Sequence, residues 1–218
     1  MQIHRTILCF GDSNTYGAMP TLARSGRHRF ARDRRWPGVL ARQLGSHWHV
    51  VEEGLPSRTT VHSDPIEGAH KNGLAALPTC LESHMPIDLV ILMLGTNDLK
   101  SRFSVSPGDI ADSLETLARF ISSSETGPDG LAPKILVISP PPIVEVDWFA
   151  DMFRDGEEKS KHLGKLIEAM CLRRGIAHLD AASVVDTSAI DGIHLDSDAH
   201  RELGMAIAQK CRLIFGSV

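Results

Sequence analysis

The sequence predicts an α/β protein built on a five-stranded parallel sheet with helices on both faces, and three observations carry that prediction. Apolar runs of strand length recur along the chain, and the clearest of them, Leu89-Val90-Ile91-Leu92-Met93-Leu94, is continuous rather than alternating. Strands buried on both faces read that way. Between the runs lie segments whose apolar residues return at helical spacing. Strand and helix alternate five times with no repeat or linker between them, the pattern of right-handed βαβ crossovers, so residues 1–218 read as a single domain.

In chain order, Ile7-Leu8-Cys9-Phe10 is the first strand, closed by the turn Gly11-Asp12-Ser13-Asn14-Thr15-Tyr16-Gly17. Residues 18–35 are polar and rich in arginine, with Arg24, Arg27, Arg29, Arg32, Arg34 and Arg35 against the single acid Asp33. Such a stretch is a solvated surface loop or, more specifically, an anion-binding or subunit-contact loop. Trp36 to Leu44 predicts a helix, with Pro37 suited to its first turn and Gly45 to its stop. His49–Glu52 is the second strand, running into Gly54-Leu55-Pro56-Ser57-Arg58-Thr59. A helix is predicted over Leu74–Leu81 despite Pro78, and Asp88–Leu94 is the third strand, ending in Gly95-Thr96-Asn97-Asp98.

From Pro107, the spacing of Ile110, Leu114, Leu117, Ala118 and Ile121 predicts an amphipathic helix. Lys134–Ile138 is the fourth strand, halted by Pro140-Pro141-Pro142, which lack the donor a ladder needs. The cluster Trp148, Phe149, Met152 and Phe153 falls on a segment of low regularity, where it can wall an acyl site, cap a neighbouring subunit or close the core. A further helix carries Leu163, Leu166, Ile167, Met170 and Cys171 on one stripe and stops at Gly175. Ile176–Leu179 is the fifth strand, and a last helix runs from about Asp198 to Phe215 with Leu203, Ala206, Ile207 and Ile214 on its buried side.

The composition narrows the function classes. With 42% hydrophobic and 23% charged residues and a formal charge of only −4, neither nucleic acid nor an anionic membrane is a favoured partner. No run approaches the roughly 18 apolar residues that a membrane span requires. The first six residues carry no apolar leader segment, so export is not expected. Cys9, Cys80, Cys171 and Cys211 are scattered and mostly patterned as core, which suits reduced thiols in a cytoplasmic chain.

In an open parallel sheet, ligands bind beyond the carboxyl ends of the strands. Ser13, Ser57, Asn97, the proline run and the Asp191/His194 pair follow strands one to five in turn, so all can converge on one edge. Together they suffice for acyl transfer. Ser13 is the candidate nucleophile, His194 the base that takes its proton and returns it to the leaving alcohol, and Asp191 the acid that fixes the imidazole's tautomer. The backbone amides of Ser13 and Ser57 and the side-chain amide of Asn97 are candidate oxyanion donors. Singly, each residue has an ordinary alternative: Ser13 as a helix cap, Asn97 as a turn residue, His194 as a surface side chain and Asp191 as a turn acid.

These residues resemble the SGNH hydrolases, also called the GDSL esterase/lipase family, from end to end of the chain. The first block is Gly11-Asp12-Ser13-Asn14, with asparagine where many members have leucine. Gly95-Thr96-Asn97-Asp98 and Asp191-Gly192-Ile193-His194-Leu195 match the third and fifth blocks intact. In the second block Ser57 stands where the commoner pattern has a glycine that donates its amide. This variant, together with Arg35-Trp36-Pro37-Gly38 and Tyr16, is similar to the bacterial arylesterase and acyltransferase branch. The resemblance implies a flavodoxin-like three-layer α/β/α sandwich, hydrolysis of short aryl or alkyl esters, acyl transfer to alcohols and a homo-oligomer. Substrate contacts are expected from Asn14, Tyr16, Trp36, Pro141, Ile143, Phe153 and Ile193.

No cofactor is expected, and His62, His70 and His84 lack the spacing of a closed zinc site. Nucleotide binding is disfavoured because the chain has neither a dinucleotide fingerprint nor a P-loop lysine. Two alternatives stay open: a carbohydrate O-deacetylase using the same triad, and a binding domain that keeps the fold without the chemistry.

Overall fold

A computed structural model describes residues 5–24 and 28–216. Arg27, one of the arginines of the basic loop, and the residues before Arg5 lie outside the described residues. Five strands, β1 (Arg5–Gly11), β2 (Trp48–Gly54), β3 (Leu89–Met93), β4 (Lys134–Ser139) and β5 (Ala177–Asp180), form one sheet in the order β2-β1-β3-β4-β5. All four pairings are parallel. The chain moves outward from β1 to β2 and then crosses back to β3, so the strand order reverses at β1. Loops leaving β1 and β3 therefore diverge to opposite faces and open a crevice between their carboxyl ends, where open α/β sheets bind ligands.

The continuous apolar runs become strands because both sheet faces are covered. Leu8, Phe10, Val90, Leu92 and Val137 point into one core, and Ile7, Cys9, Ile91, Leu136 and Ile138 into the other. Side chains alternate faces along a strand, so a two-sided core demands an unbroken apolar stretch. The first core is closed by α3 (Gly73–His84), α4 (Pro107–Ser122) and α6 (Gly156–Arg174), and the second by α2 (Trp36–Leu44) and α7 (Ser197–Phe215). This is a three-layer α/β/α sandwich.

Local signals account for the helix ends. Ser106 and Asp109 form a reciprocal capping box ahead of α4. Asp196 accepts the amides of Asp198 and Ala199 at the start of α7. Gly175 ends α6 in a left-handed conformation, φ 64°, as expected of a stop glycine. The helix over Leu74–Leu81 persists through Pro78 and is longer at both ends.

Three expectations need correction. Leu166 lies outside the buried stripe of α6 and is 38% exposed, because the stripe follows Leu163, Ile167, Met170 and Cys171. The Trp148 segment is not irregular: Asp147–Met152 is a short helix, α5. The basic loop is neither fully solvated nor free to bind an anion at every arginine. Arg29, Arg32 and Arg35 converge on Glu52 at 3.4, 3.3 and 2.8 Å, and the Arg29 guanidinium lies 4.0 Å over the Tyr16 ring.

Candidate active site

The turn after β1 is tight for a reason that lies in the backbone. A Cβ on Gly11 would stand 2.0 Å from Thr15 Oγ1 and 2.7 Å from the Met93 carbonyl, so only glycine lets β1 end this close to β3. The chain then enters α1 (Ser13–Tyr16), a single turn whose N-cap is Asp12 and not Ser13. Asp12 Oδ1 accepts the Asn14 amide at 2.9 Å, which leaves the Ser13 side chain free of the capping task. Beneath the turn Arg58 is buried, with one guanidinium nitrogen donating to the Gly11 carbonyl at 2.9 Å and to the Glu53 carbonyl, and its plane 4.1 Å over the Phe10 ring.

Ser13, Ser57, Asn97 and His194, which arrive from four separate turns, all line one cavity of about 320 Å³. Ser57 sits at φ 67°, in the left-handed region where glycine is the unstrained choice. That conformation accounts for the glycine of the commoner second block, and the serine here retains an amide N–H. The Ser57 hydroxyl is engaged by Glu67. Lys100, buried, holds Glu67 at 2.7 Å and lies 3.7 Å from Asp64, which in turn takes Arg102 at 3.0 Å. The Asn97 side chain donates to Asp12 Oδ2 at 3.4 Å. Next to it Asp98 receives the Thr60 hydroxyl at 2.5 Å and the Thr60 amide at 3.0 and 3.1 Å, tying the turn after β2 to the turn after β3.

Asp191 and His194 share a turn on the opposite wall. Asp191 Oδ2 meets His194 Nδ1 at 2.7 Å and accepts the Thr21 amide at 2.8 Å, while Oδ1 accepts the amides of Ile193 and His194 at 3.1 and 3.0 Å. A carboxylate here accepts Nδ1–H, which leaves Nε2 as the basic nitrogen. Burial pushes the Asp191 carboxyl up, but the hydrogen bonds from the His194 ring and the backbone amides outweigh it and hold the group below its ordinary value. Gly192, at φ 71°, makes the turn possible: a Cβ there would stand 2.0 Å from the Val144 carbonyl.

Two neighbouring acids behave differently. Burial raises Asp12 to about 6, against the Asn14 amide and the nearby cations. Burial raises Asp98 to about 7 despite the Thr60 bonds. Among the described residues, no group of three or more His, Cys, Asp or Glu side chains is placed to hold a metal ion.

Residues 9–202 match the model of the GDSL-like lipase/acylhydrolase family. The chain belongs to that family. It is a carboxylic ester hydrolase by that membership. The native aryl esterase of M. smegmatis is 43% identical and superposes with a TM-score of 0.91 over 96% of this chain and 99% of its own. Est24, a carbohydrate acetylesterase from Sinorhizobium meliloti, is 42% identical with a TM-score of 0.93 over 97% of this chain and 100% of its own. A carbohydrate acetylesterase family member from the same organism is 36% identical, with a TM-score of 0.90 over 97% and 99%. No curated protein matches the chain.

The expected substrate contacts of the enzyme divide sharply. Phe153 and Ile193 line the cavity, with Trp148, Phe149 and Met152 beside them. The aromatic cluster does two jobs at once, because Phe149 and Phe153 also belong to the first core. Trp36 is moved out of the site: it is fully buried in the second core between α2 and α7, and its amide donates to His200 Nδ1 at 3.3 Å. Ile143 is buried in the first core, and Pro141 and Tyr16 also lie outside the cavity lining. Asn14 is buried and faces the backbone of the His194 turn.

Sequence reasoning did not find Arg58, Thr21, the Glu67–Lys100 pair or the buried His200. Their partners are distant in the chain, and an isolated Arg, Thr or His in sequence gives no sign of them. Asp12 was nearer to legible: an acid directly before the candidate nucleophile is a local N-cap signal. Among the described residues, no helix is long and apolar enough to cross a membrane.

Proposed function

We propose that this single-domain enzyme is a serine esterase that hydrolyses short-chain aryl or alkyl esters through an acyl-enzyme on Ser13. The observation that carries the reading is the convergence of Ser13, His194 and two oxyanion-donor turns on one cavity, with His194 Nδ1 held 2.7 Å from Asp191. His194 Nε2 takes the Ser13 proton as Oγ bonds to the ester carbonyl carbon. The Ser13 and Ser57 amides and the Asn97 side chain then receive the negative charge on the carbonyl oxygen. His194 returns the proton to the leaving alcohol as the C–O bond breaks, and water repeats the sequence on the acyl-enzyme with His194 again as base. Asp191 stays ionised throughout and stabilises the imidazolium.

The wall formed by Trp148, Phe149, Met152 and Phe153 suits an apolar acyl or aryl group, and the same apolar surface favours an alcohol beside water as acyl acceptor, giving acyl transfer as a side reaction. A second reading, carbohydrate O-deacetylation, is favoured by the opposite wall, where Glu67, Lys100 and Arg102 supply hydrogen-bonding groups for hydroxyls. A panel comparing aryl acetates with acetylated sugars separates the two by kcat/KM. The proposal extends to a cytoplasmic homo-oligomer. All four cysteines are unpaired thiols, as a reducing compartment would keep them. Met19, Leu22 and Ile66 expose apolar surface, with Met19 and Ile66 at the cavity, as a subunit contact would use.

The direct test is Ser13→Ala. Turnover of an aryl acetate is expected to disappear while the fold persists, and a fluorophosphonate should label the wild-type protein at Ser13 alone. Undiminished turnover in the purified variant rules the mechanism out.

A further inference from the structure

The side chain next to the candidate nucleophile reaches across the molecule to the candidate base. Asn14 Nδ2 donates to the Ile193 carbonyl at 3.1 Å, and Asn14 Oδ1 accepts the Leu195 amide at 3.0 Å. The two bonds grip the backbone on either side of His194, from positions 179 and 181 residues away in the chain. Asn14 is 1% exposed, so neither bond competes with solvent.

The rest of the His194 turn is tied elsewhere. Val144 donates to the Gly192 carbonyl at 2.8 Å, Ser188 donates to the His194 carbonyl at 2.8 Å, and Thr21 donates to Asp191. None of those ties involves α1, which carries Ser13. Asn14 is in turn fixed by its own amide, which donates to Asp12 at 2.9 Å, while Asp12 also receives the Asn97 side chain. One short segment thus carries Ser13 and bonds both to the residues flanking His194 and to the Asn97 side chain.

We propose that Asn14 is a positioning residue, a two-bond clamp that sets the distance and angle between Ser13 and His194. The inference rests on the triad reading above. A leucine at this position, which the first-block resemblance gives as the common residue, can fill the same space but cannot bond to either backbone group. In this enzyme the register between nucleophile and base is therefore hydrogen-bonded where leucine would rely on packing alone.

The test compares Asn14→Leu and Asn14→Asp with Leu117→Ala, a core truncation in α4 remote from the site. For turnover of 4-nitrophenyl acetate, Asn14→Leu is expected to lower kcat by about 10- to 100-fold with KM changed less than about threefold, as a misplacement of reacting groups does. Asn14→Asp keeps the acceptor for Leu195 but sets a carboxylate oxygen against the Ile193 carbonyl, so its kcat should also fall by at least about 10-fold. The rate of Ser13 labelling by a fluorophosphonate should drop in step, and the downfield imidazole proton of the His194–Asp191 bond should broaden. Leu117→Ala should lose thermal stability yet keep wild-type kcat below its melting transition.

If both Asn14 variants keep wild-type kcat, or lose it only as far as Leu117→Ala does at matched stability, the clamp is overturned. If Asn14→Leu does not fold, Asn14→Asp and the labelling rate decide alone. Absence of Ser13 labelling in the wild-type enzyme, in contrast, removes the triad reading itself.

Discussion

Replacing Asp191 with asparagine changes one atom and sets four hydrogen bonds in conflict. Oδ1 accepts two backbone amides, from Ile193 and His194, while Oδ2 accepts the Thr21 amide and faces His194 Nδ1. An asparagine has one oxygen for these two positions. With its oxygen at the Oδ1 position, the NH₂ group points at two donors, Thr21 N–H and the imidazole. The imidazole can escape by moving its proton to Nε2, which is the nitrogen that accepts from Ser13 in the proposed mechanism. With the oxygen at the Oδ2 position, the tautomer is retained but two buried amides at the His194 turn face an NH₂. Each unsatisfied amide costs about 1–3 kcal/mol, so the strained flip is disfavoured against the tautomer change by roughly the difference between two orphaned amides and one. The wrong tautomer is then the main population, and kcat should fall about 10⁴-fold, or roughly 5.5 kcal/mol. Initial rates of 4-nitrophenol release from the acetate ester, on protein whose folding is checked by its melting transition, measure the effect. A purified Asp191→Asn enzyme that retains a tenth or more of wild-type kcat would refute the assignment of Asp191 as the group that orients His194.

Three further outcomes follow from the same geometry. Asn97→Ala should lose on the order of 10²–10³ in kcat with little loss of stability, since it removes the proposed oxyanion donor and one long bond to Asp12; a kcat within threefold of wild type would remove Asn97 from the oxyanion hole. Gly192→Ala should destabilise the fold by more than about 2 kcal/mol in denaturant titration, because its φ of 71° is costly for alanine and the new Cβ meets the Val144 carbonyl. The pH dependence of stability has a definite sign. Asp12 and Asp98 are raised to about 6 and about 7, so between pH 4 and 7 the folded chain binds more protons than the unfolded one. Stability should therefore decline as pH rises from about 4 to 7 and level off above, apart from the contributions of histidines. Asp191, held low in the fold, acts oppositely, and its contribution is lost only as pH falls below the ordinary carboxylate range. Asp98→Asn should flatten the melting temperature between pH 5 and 7; an unchanged slope in that variant would show that Asp98 does not titrate there.

Much of this molecule could be read from local pattern. Continuous apolar runs marked the strands, since a strand covered on both faces leaves no polar position to break the run. Gly45, Gly175 and the Ser106–Asp109 pair sit at real helix ends because capping is a matter of a few neighbouring residues. Ser13, Ser57, Asn97 and His194 were legible as a set because the carboxyl edge of a parallel sheet is where such turns meet, and all four line the cavity. Leu166 and the Trp148 helix escape local pattern, because the burial of one position on a stripe and the order of a short segment depend on what packs against them.

By itself the sequence determined the layer architecture, the strand ends and the residue types available at the catalytic edge, since these depend on periodicity and on backbone chemistry within a few residues. The tertiary structure alone decided which of those residues share a cavity and which are core. Trp36 lies close in the chain to the candidate nucleophile, yet the crossover to α2 carries it to the opposite face of the sheet, under His200. Asn14, which the resemblance implies as a substrate contact, instead faces inward, where its side chain bonds to two backbone groups of the His194 turn. A buried polar group takes the partner that folding brings to it, and such partners lie far away in the sequence.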